Sequence, residues 1–146
     1  MKKIVKRIAA IAVISSTVMS LMASASALTN SETVTNTTKI GTTSYTTKGT
    51  NDISTTRYSF VIDLSTYVSS PSSATANEIH THWQVYDYLT GADIGTKQTE
   101  DGYNTNRKDG YDCVSRTYYD DITVLCAHTA YKNGKTLIAK YTQTTN

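Results

Sequence analysis

The chain has 146 residues, with 14 basic and 12 acidic side chains and a formal net charge of +2. Four of the basic residues (Lys2, Lys3, Lys6 and Arg7) stand at its start, so that without residues 1–27 the balance becomes 10 basic against 12 acidic. Because the remaining Lys and Arg residues are scattered and form no basic patch, we exclude nucleic acid as a partner.

Residues 1–27 have the pattern of a secretory signal peptide. The basic start is followed by an apolar run from Ile8 to about Met22 and by the small-residue tract 23–27. This order of regions is typical of export, and the run is shorter than the ~20 apolar residues that span a bilayer. We predict a secreted, extracellular protein with no transmembrane segment in its mature chain, cleaved after Ala27 or, as the second choice, after Ala25. The remaining 119 residues fit one domain.

Residues 28–50 are a Thr-rich N-terminal segment, and after Leu28 its few large apolar side chains are Val34, Ile40 and Tyr45. The segment is either flexible or a weak pair of edge strands broken near Gly41, and we favour strands. Residues 51–146 are predicted to form a single β-domain. Thr-rich edge strands can add to a second copy, so the sequence leaves self-association open.

Two strands are predicted in the middle of the chain, because apolar residues alternate with polar ones there. In the first, Thr56–Leu64, one face holds Tyr58, Phe60, Ile62 and Leu64. In the second, Glu78–Leu89, one face holds Ile79, Trp83, Val85 and Leu89, and the other holds His80, His82, Gln84, Tyr86 and Tyr88. The polar stretch 65–77 between them predicts a connection that crosses between two sheets.

The region after the second strand is predicted to turn back. Residues 90–93 suit a turn, and residues 94–99 suit the return strand of a hairpin. The polar stretch 100–112 contains Asp-Gly at 101–102 and again at 109–110, which predicts turns at both places.

The C-terminal third is predicted to be a three-stranded meander. Asn133-Gly134 is the strongest hairpin signal in the chain and predicts a type I′ turn. The resulting register pairs Ala130 with Leu137, His128 with Ala139 and Cys126 with Tyr141. With a further turn at residues 120–121, the core side would hold Cys113, Ile122, Val124, Cys126, Leu137, Ala139 and Tyr141.

Two cysteines, Cys113 and Cys126, are predicted to form a disulfide. An even cysteine count is expected to pair in an oxidising compartment, and the meander would place the two residues on adjacent strands. The bridge would close a loop of about 14 residues and stabilise the fold by ~3 kcal/mol. Redox and zinc–thiolate roles are disfavoured because the spacing does not match those motifs.

These elements predict an all-β fold. Seven or eight short strands separated by turn signals are typical of a small antiparallel β-sandwich, with a small β-barrel as the alternative. The sandwich is favoured because the long connection at 65–77 suits two sheets.

His80 and His82 are the sharpest candidate for chemistry. Residues two apart on a strand point to the same side, so both imidazoles can reach one metal ion. Two ligands do not complete a zinc site, although a carboxylate such as Glu78 would add a third. A pair of surface histidines on a solvated face is the favoured interpretation, and a metal site is the alternative. We therefore expect no cofactor, with a divalent metal at this pair as the alternative.

Tyr86 and Tyr88 share a face with the histidine pair, and exposed tyrosines supply large contact area at interfaces. His80, His82, Tyr86 and Tyr88 are therefore the predicted binding face. No standard nucleophile motif occurs, and no catalytic residue is assigned. The leading expectation is a secreted, non-enzymatic protein that binds a cell-surface component or a protein partner. A small toxin or bacteriocin-like effector is the alternative, and a secreted hydrolase is the third.

Overall fold

The computed structural model describes residues 30–95 and 98–146, and the predicted signal peptide at 1–27 lies outside them. The described residues form eight strands and no helix, so no helix that could span a membrane occurs among them. The strands are β1 (Ser31–Ile40), β2 (Thr43–Thr55), β3 (Ser59–Ser70), β4 (Ala76–Asp87), β5 (Gln98–Thr105), β6 (Arg107–Ser115), β7 (Ile122–Lys132) and β8 (Lys135–Thr145). The predicted all-β class is confirmed.

The strands build two antiparallel sheets of four, in the orders β1-β2-β3-β6 and β5-β4-β7-β8. The sheets are not closed into a barrel, so the predicted sandwich is confirmed. The Thr-rich segment forms β1 and the start of β2, which turn at Gly41 with a φ of 60°. Because β2 continues to Thr55, this segment shares a sheet with the residues that follow it.

β3 confirms the period-two pattern, because Phe60, Ile62 and Leu64 all point into the interior. Tyr58 lies before β3 and is exposed. Residues 71–75 carry the chain from the first sheet to the second, as predicted, and the connection is shorter than expected because β3 runs on to Ser70.

The stretch 100–112 is a correction to the sequence analysis: it forms most of β5 and β6. Its two Asp-Gly pairs lie within strands, where Gly102 and Gly110 are buried. A Cβ at Gly110 would stand 2.6 Å from Trp83 Cζ3, and one at Gly102 would stand 2.9 Å from Ile79 Cγ2. Gly110 on β6 therefore lets the first sheet approach Trp83 of the second, and Gly102 leaves room for Ile79, its cross-strand neighbour on β4. Neither glycine marks a turn.

The predicted return strand at 94–99 begins later than expected: Gln98 and Thr99 open β5, which pairs antiparallel with β4. Before the residues 96–97, which are not described, a single bridge joins Asp93 to Tyr86.

The predicted hairpin at Asn133-Gly134 is confirmed. Both residues have positive φ, 48° and 72°, as a type I′ turn requires. The predicted register holds only next to the turn, because a bulge between Ala130 and Tyr131 shifts the rest by one residue. The observed pairs are Ala130 with Ile138, His128 with Lys140 and Cys126 with Thr142. Ala139 and Tyr141, predicted to face the core, are consequently exposed, whereas Thr142 and Thr144 are buried.

The predicted disulfide is wrong, and both thiols are free. Cys113 lies on β6 opposite Val61, in the first sheet, and its side chain is exposed. Cys126 lies on β7 in the second sheet, fully buried against the core, and burial raises the pKa of its thiol well above the ordinary value. Because β6 pairs with β3 and not with β7, the predicted meander and the bridge across it do not form.

The interior contains two apolar clusters. The larger consists of Ile53, Phe60, Ile62, Leu64, Trp83, Val85, Ile122, Val124 and Cys126. The smaller consists of Val68, Ala76, Ile79, Ala130, Leu137 and Ile138. We name them the large cluster and the small cluster.

A polar layer separates the two clusters. His128 is fully buried, with Nδ1 2.9 Å from Thr66 Oγ1 and Nε2 2.9 Å from Thr142 Oγ1. Thr66 also lies 2.8 Å from the hydroxyl of Thr81. Gly49 faces the His128 ring so closely that a Cβ would overlap it. Burial lowers the pKa of His128 to about 4, so its imidazole is neutral at pH 7.

One seam between the sheets is joined by side chains. Asn36 and Thr38 on β1 donate to the carbonyl oxygens of Leu137 and Thr136 on β8, at 2.7 and 3.1 Å. In the reverse direction, Lys140 Nζ donates to the carbonyl oxygen of Thr35 at 2.6 Å. Strand addition by a second copy at this seam would have to break these bonds.

Candidate functional site

His80 and His82 lie side by side on the outer face of the second sheet, as their spacing predicts. They are consecutive outward positions of β4, and their ring centroids are 5.6 Å apart. His80 is only 6% exposed, whereas His82 is half-buried. The two imidazoles therefore form one cluster, covered at His80 and accessible at His82.

The neighbouring strand β5 gives each histidine a partner. Asp101 stands opposite His80 in the register, and His80 Nδ1 is 2.6 Å from Asp101 Oδ1. Thr99 stands opposite His82, with His82 Nδ1 2.7 Å from its hydroxyl oxygen. One candidate ligand atom from each of His80, His82 and Asp101 lies within 4.8 Å of the other two. Asp101 was not predicted as a ligand, because the Asp-Gly pairs assigned residues 100–112 to turns.

Carboxylate and aromatic groups surround His80. Glu78 Oε2 is 3.8 Å from His80 Nε2, on the side of the ring away from Asp101. The rings of Tyr103 and Tyr131 meet the imidazole edge-on, with centroids 6.4 Å away. Burial and the negative charge of Glu78 raise the pKa of Tyr131. This face thus combines two imidazoles, two carboxylates and two phenol rings.

The other two residues of the predicted binding face, Tyr86 and Tyr88, lie further along the chain, at and beyond the end of β4. Tyr86 shares the face of the histidines but is buried at 7% exposure beside Asp93. Burial, and then the charge of Asp93, raise the pKa of its phenol. Tyr88 lies beyond the end of β4 and is half-buried. The role of these residues in binding stays a prediction, and only His82 and Tyr88 offer partly open side chains.

Three loops meet at one end of the sandwich, which we name the loop end: residues 56–58, 88–95 and 116–121. Backbone hydrogen bonds join them, because Arg116 N donates to the carbonyl oxygen of Tyr58 at 2.9 Å and Tyr88 N donates to that of Asp121 at 3.2 Å. The opposite end, the turn end, comprises residues 41–42, 71–75, 106 and 133–134.

The loop end carries the three most exposed large apolar or aromatic side chains among the described residues. These are Tyr58 at 71% exposure, Leu89 at 75% and Tyr118 at 78%. Arg57 lies over the Tyr58 ring at 5.2 Å, and Tyr118 packs against the ring of Tyr119 at 6.5 Å. This grouping was not predicted, because apolar alternation placed Tyr58 and Leu89 on core-facing strand positions.

The loop end rests on the large cluster. Arg116 lies over the buried ring of Phe60 at 5.4 Å and donates from Nη1 to the carbonyl oxygen of Thr56 at 3.1 Å. Tyr119 and Ile94 pack directly against the same cluster. These contacts hold the exposed side chains on supported loops.

A cleft of about 430 Å³ opens on the outer face of the first sheet. Its polar lining includes Asp52, Asp63, Asp109 and Tyr111, and Arg107 Nε donates to Asp109 at 2.6 Å. Asp52 and Asp63 are direct cross-strand neighbours. The lining residues include no histidine or cysteine.

Comparison with known proteins adds no further constraint, since no protein-family model, no curated protein and no solved structure matches this chain.

Proposed function

We propose that this protein is exported and binds a protein displayed on a cell surface through its loop end. The observation that carries the proposal is the grouping of Tyr58, Leu89 and Tyr118, all more than two-thirds exposed, on loops that are bonded to one another. Single exposed apolar residues are ordinary, but a group of them on one surface indicates an interaction site.

The composition of the loop end favours a protein partner. Tyrosine and arginine supply much of the binding energy in protein–protein interfaces, and the loop end holds Arg57 and Arg116 beside its tyrosines. Loops at one end of a sandwich are a common place for recognition, because the sheets hold them in fixed positions.

Contacts that order the loop-end side chains before binding lower the free-energy cost of binding. The Tyr58 ring is contacted by Arg57, and the neighbouring Arg116 is held by both Phe60 and Thr56. Side chains that are already ordered lose less conformational entropy when a partner binds.

The test is sedimentation of the purified protein with intact cells and isolated envelopes, using the triple variant Tyr58→Ser, Leu89→Ser, Tyr118→Ser. We expect at least about tenfold weaker binding, equivalent to about 1.4 kcal/mol, and a nearly unchanged midpoint of thermal unfolding. The matched control is Tyr111→Ser with Tyr141→Ser, which removes two exposed tyrosines from strand positions outside the loop end.

Three results would overturn the proposal. Equal binding of the triple variant and the control would exclude the loop end. Binding that survives protease treatment of the cells would exclude a protein partner. Killing or dye leakage that persists in the triple variant would favour the toxin alternative over a protein that acts by binding through the loop end.

A further inference from the structure

We infer that His80, His82 and Asp101 form a binding site for a divalent transition-metal ion, with zinc as its representative. The site lies on the outer face of the second sheet, away from the loop end, and does not depend on the proposed partner. Three residues of two neighbouring strands supply its ligands, and a fourth, Glu78, supports one of them.

The donor set suits zinc and its first-row neighbours. Imidazole nitrogen and carboxylate oxygen are ligands for these ions, with metal–ligand bonds of about 2.0–2.2 Å. In a tetrahedral site such bonds place the ligand atoms about 3.4 Å apart. The candidate atoms here already lie within 4.8 Å of one another. Closing that difference requires rotation of the two more exposed side chains, His82 and Asp101.

Backbone pairing of β4 with β5 fixes the two histidines relative to Asp101. His80 and His82 project from the same face of β4, and Asp101 is the cross-strand neighbour of His80 on β5. His80 is held further by the rings of Tyr103 and Tyr131. Binding therefore orders few additional groups, which favours affinity.

The proton balance is also satisfied. His80 Nδ1 lies 2.6 Å from Asp101 Oδ1, and because a carboxylate only accepts, this hydrogen bond needs a proton on Nδ1. An ion bound at Nδ1 takes the place of that proton, which then resides on Nε2. Glu78 Oε2, at 3.8 Å from Nε2, faces the proton in its new position. A carboxylate behind the metal-bound imidazole is the usual outer support of such ligands.

Metal binding would also fasten β5 to the sheet. β5 is an edge strand, hydrogen-bonded in its sheet only to β4. An ion held by both strands adds a second connection, so amide hydrogen exchange in residues 98–105 should slow when zinc is bound.

The experiment is calorimetric titration of the metal-free protein with zinc, on the wild type and on His82→Ala, Asp101→Asn and Asp109→Asn. We expect one ion per chain with a micromolar dissociation constant, weakened at least about tenfold by either of the first two substitutions. Asp109→Asn is the matched control, because it removes an exposed carboxylate from β6, outside the site, and should leave the affinity unchanged.

Thermal unfolding without zinc establishes that each variant is folded, and hydrogen exchange on the wild type provides the second readout. The inference would be overturned if no zinc bound at a zinc concentration about 100 times a micromolar dissociation constant. It would also be overturned if the wild type and the three variants bound zinc with equal affinity. Zinc binding that does not slow exchange in residues 98–105 would place the ion elsewhere and would overturn it as well.

Discussion

The loop end and the turn end of the sandwich differ both at the surface and beneath it. The loop end exposes Tyr58, Leu89 and Tyr118 and rests on the large cluster, which contains Phe60 and Trp83. The turn end is made of glycine, proline, threonine, serine, alanine and asparagine, and lies over the small cluster of aliphatic residues. The large cluster and the three most exposed large side chains thus lie at the same end of the sandwich.

This difference shows how a fold can hold exposed rings in place. An exposed tyrosine on an unsupported turn would have to be ordered by its partner at a cost in entropy. At the loop end the supporting contacts come from the core itself, through Arg116 over Phe60 and Tyr119 against the large cluster. At the turn end the short turns only reverse the chain.

The largest expected effect is the difference in unfolding free energy between truncations in the large and the small cluster. Phe60→Ala should lower the free energy of unfolding by about 3–5 kcal/mol, because it removes a fully buried ring and leaves a cavity. Val68→Ala in the small cluster should cost about 2 kcal/mol, because fewer buried carbon atoms are lost. Urea unfolding of both variants measures the difference. A loss at Val68 as large as that at Phe60 would contradict the unequal division of the core.

The polar layer between the clusters predicts a pH dependence of stability. The pKa of His128 is lowered from 6.5 to about 4 by burial, so between these values the unfolded chain binds a proton that the folded chain does not. Stability from this group is therefore complete above pH 6.5 and falls as the pH falls towards 4, by about 2–3 kcal/mol at pH 4.5.

Urea unfolding at pH 7 and pH 4.5 measures this loss, and the difference between wild type and His128→Gln isolates it from other groups. The variant should show the smaller loss. An NMR titration of the His128 imidazole is the second measurement, and a midpoint near 6.5 in the folded protein would contradict the prediction.

The two cysteines test the difference between surface and interior through the accessibility of their thiols. A thiol reagent should modify one cysteine, Cys113, in the native reduced protein, and should reach Cys126 only after denaturation. Cys113→Ser should therefore abolish native labelling and leave the thermal midpoint unchanged. If native labelling appeared only after reduction, the thiols would be bridged, contrary to the structure.

Alternation along single strands allowed much of the fold to be predicted. Phe60, Ile62 and Leu64 followed from period two, and the Asn133-Gly134 turn followed from local chemistry. The partners of strands could not be predicted in this way. The pairing of β6 with β3 depends on contacts between distant residues, and placing β6 beside β7 led directly to the wrong disulfide.

The same limit applies to the candidate sites. The shared face of His80 and His82 is a local property and was predicted, whereas Asp101 reaches them only because β5 pairs with β4. Asp-Gly ordinarily indicates a turn. Here Gly102 leaves room for Ile79 and Gly110 leaves room for Trp83, and no local pattern reveals these contacts. Tyr58 and Leu89 continue apolar alternations past the ends of their strands, so the pattern assigned them to the core.

The polar layer has a thermal consequence for the whole molecule. Its buried threonines and histidine, among them Thr66, Thr81, Thr142 and His128, become hydrated on unfolding together with the two clusters. Hydration of apolar surface raises the heat capacity, whereas hydration of polar surface lowers it. The heat-capacity increment of unfolding is therefore smaller than for a sandwich of equal length with an aliphatic centre. Its stability curve is correspondingly flatter, so the fold retains its stability over a broader range of temperature.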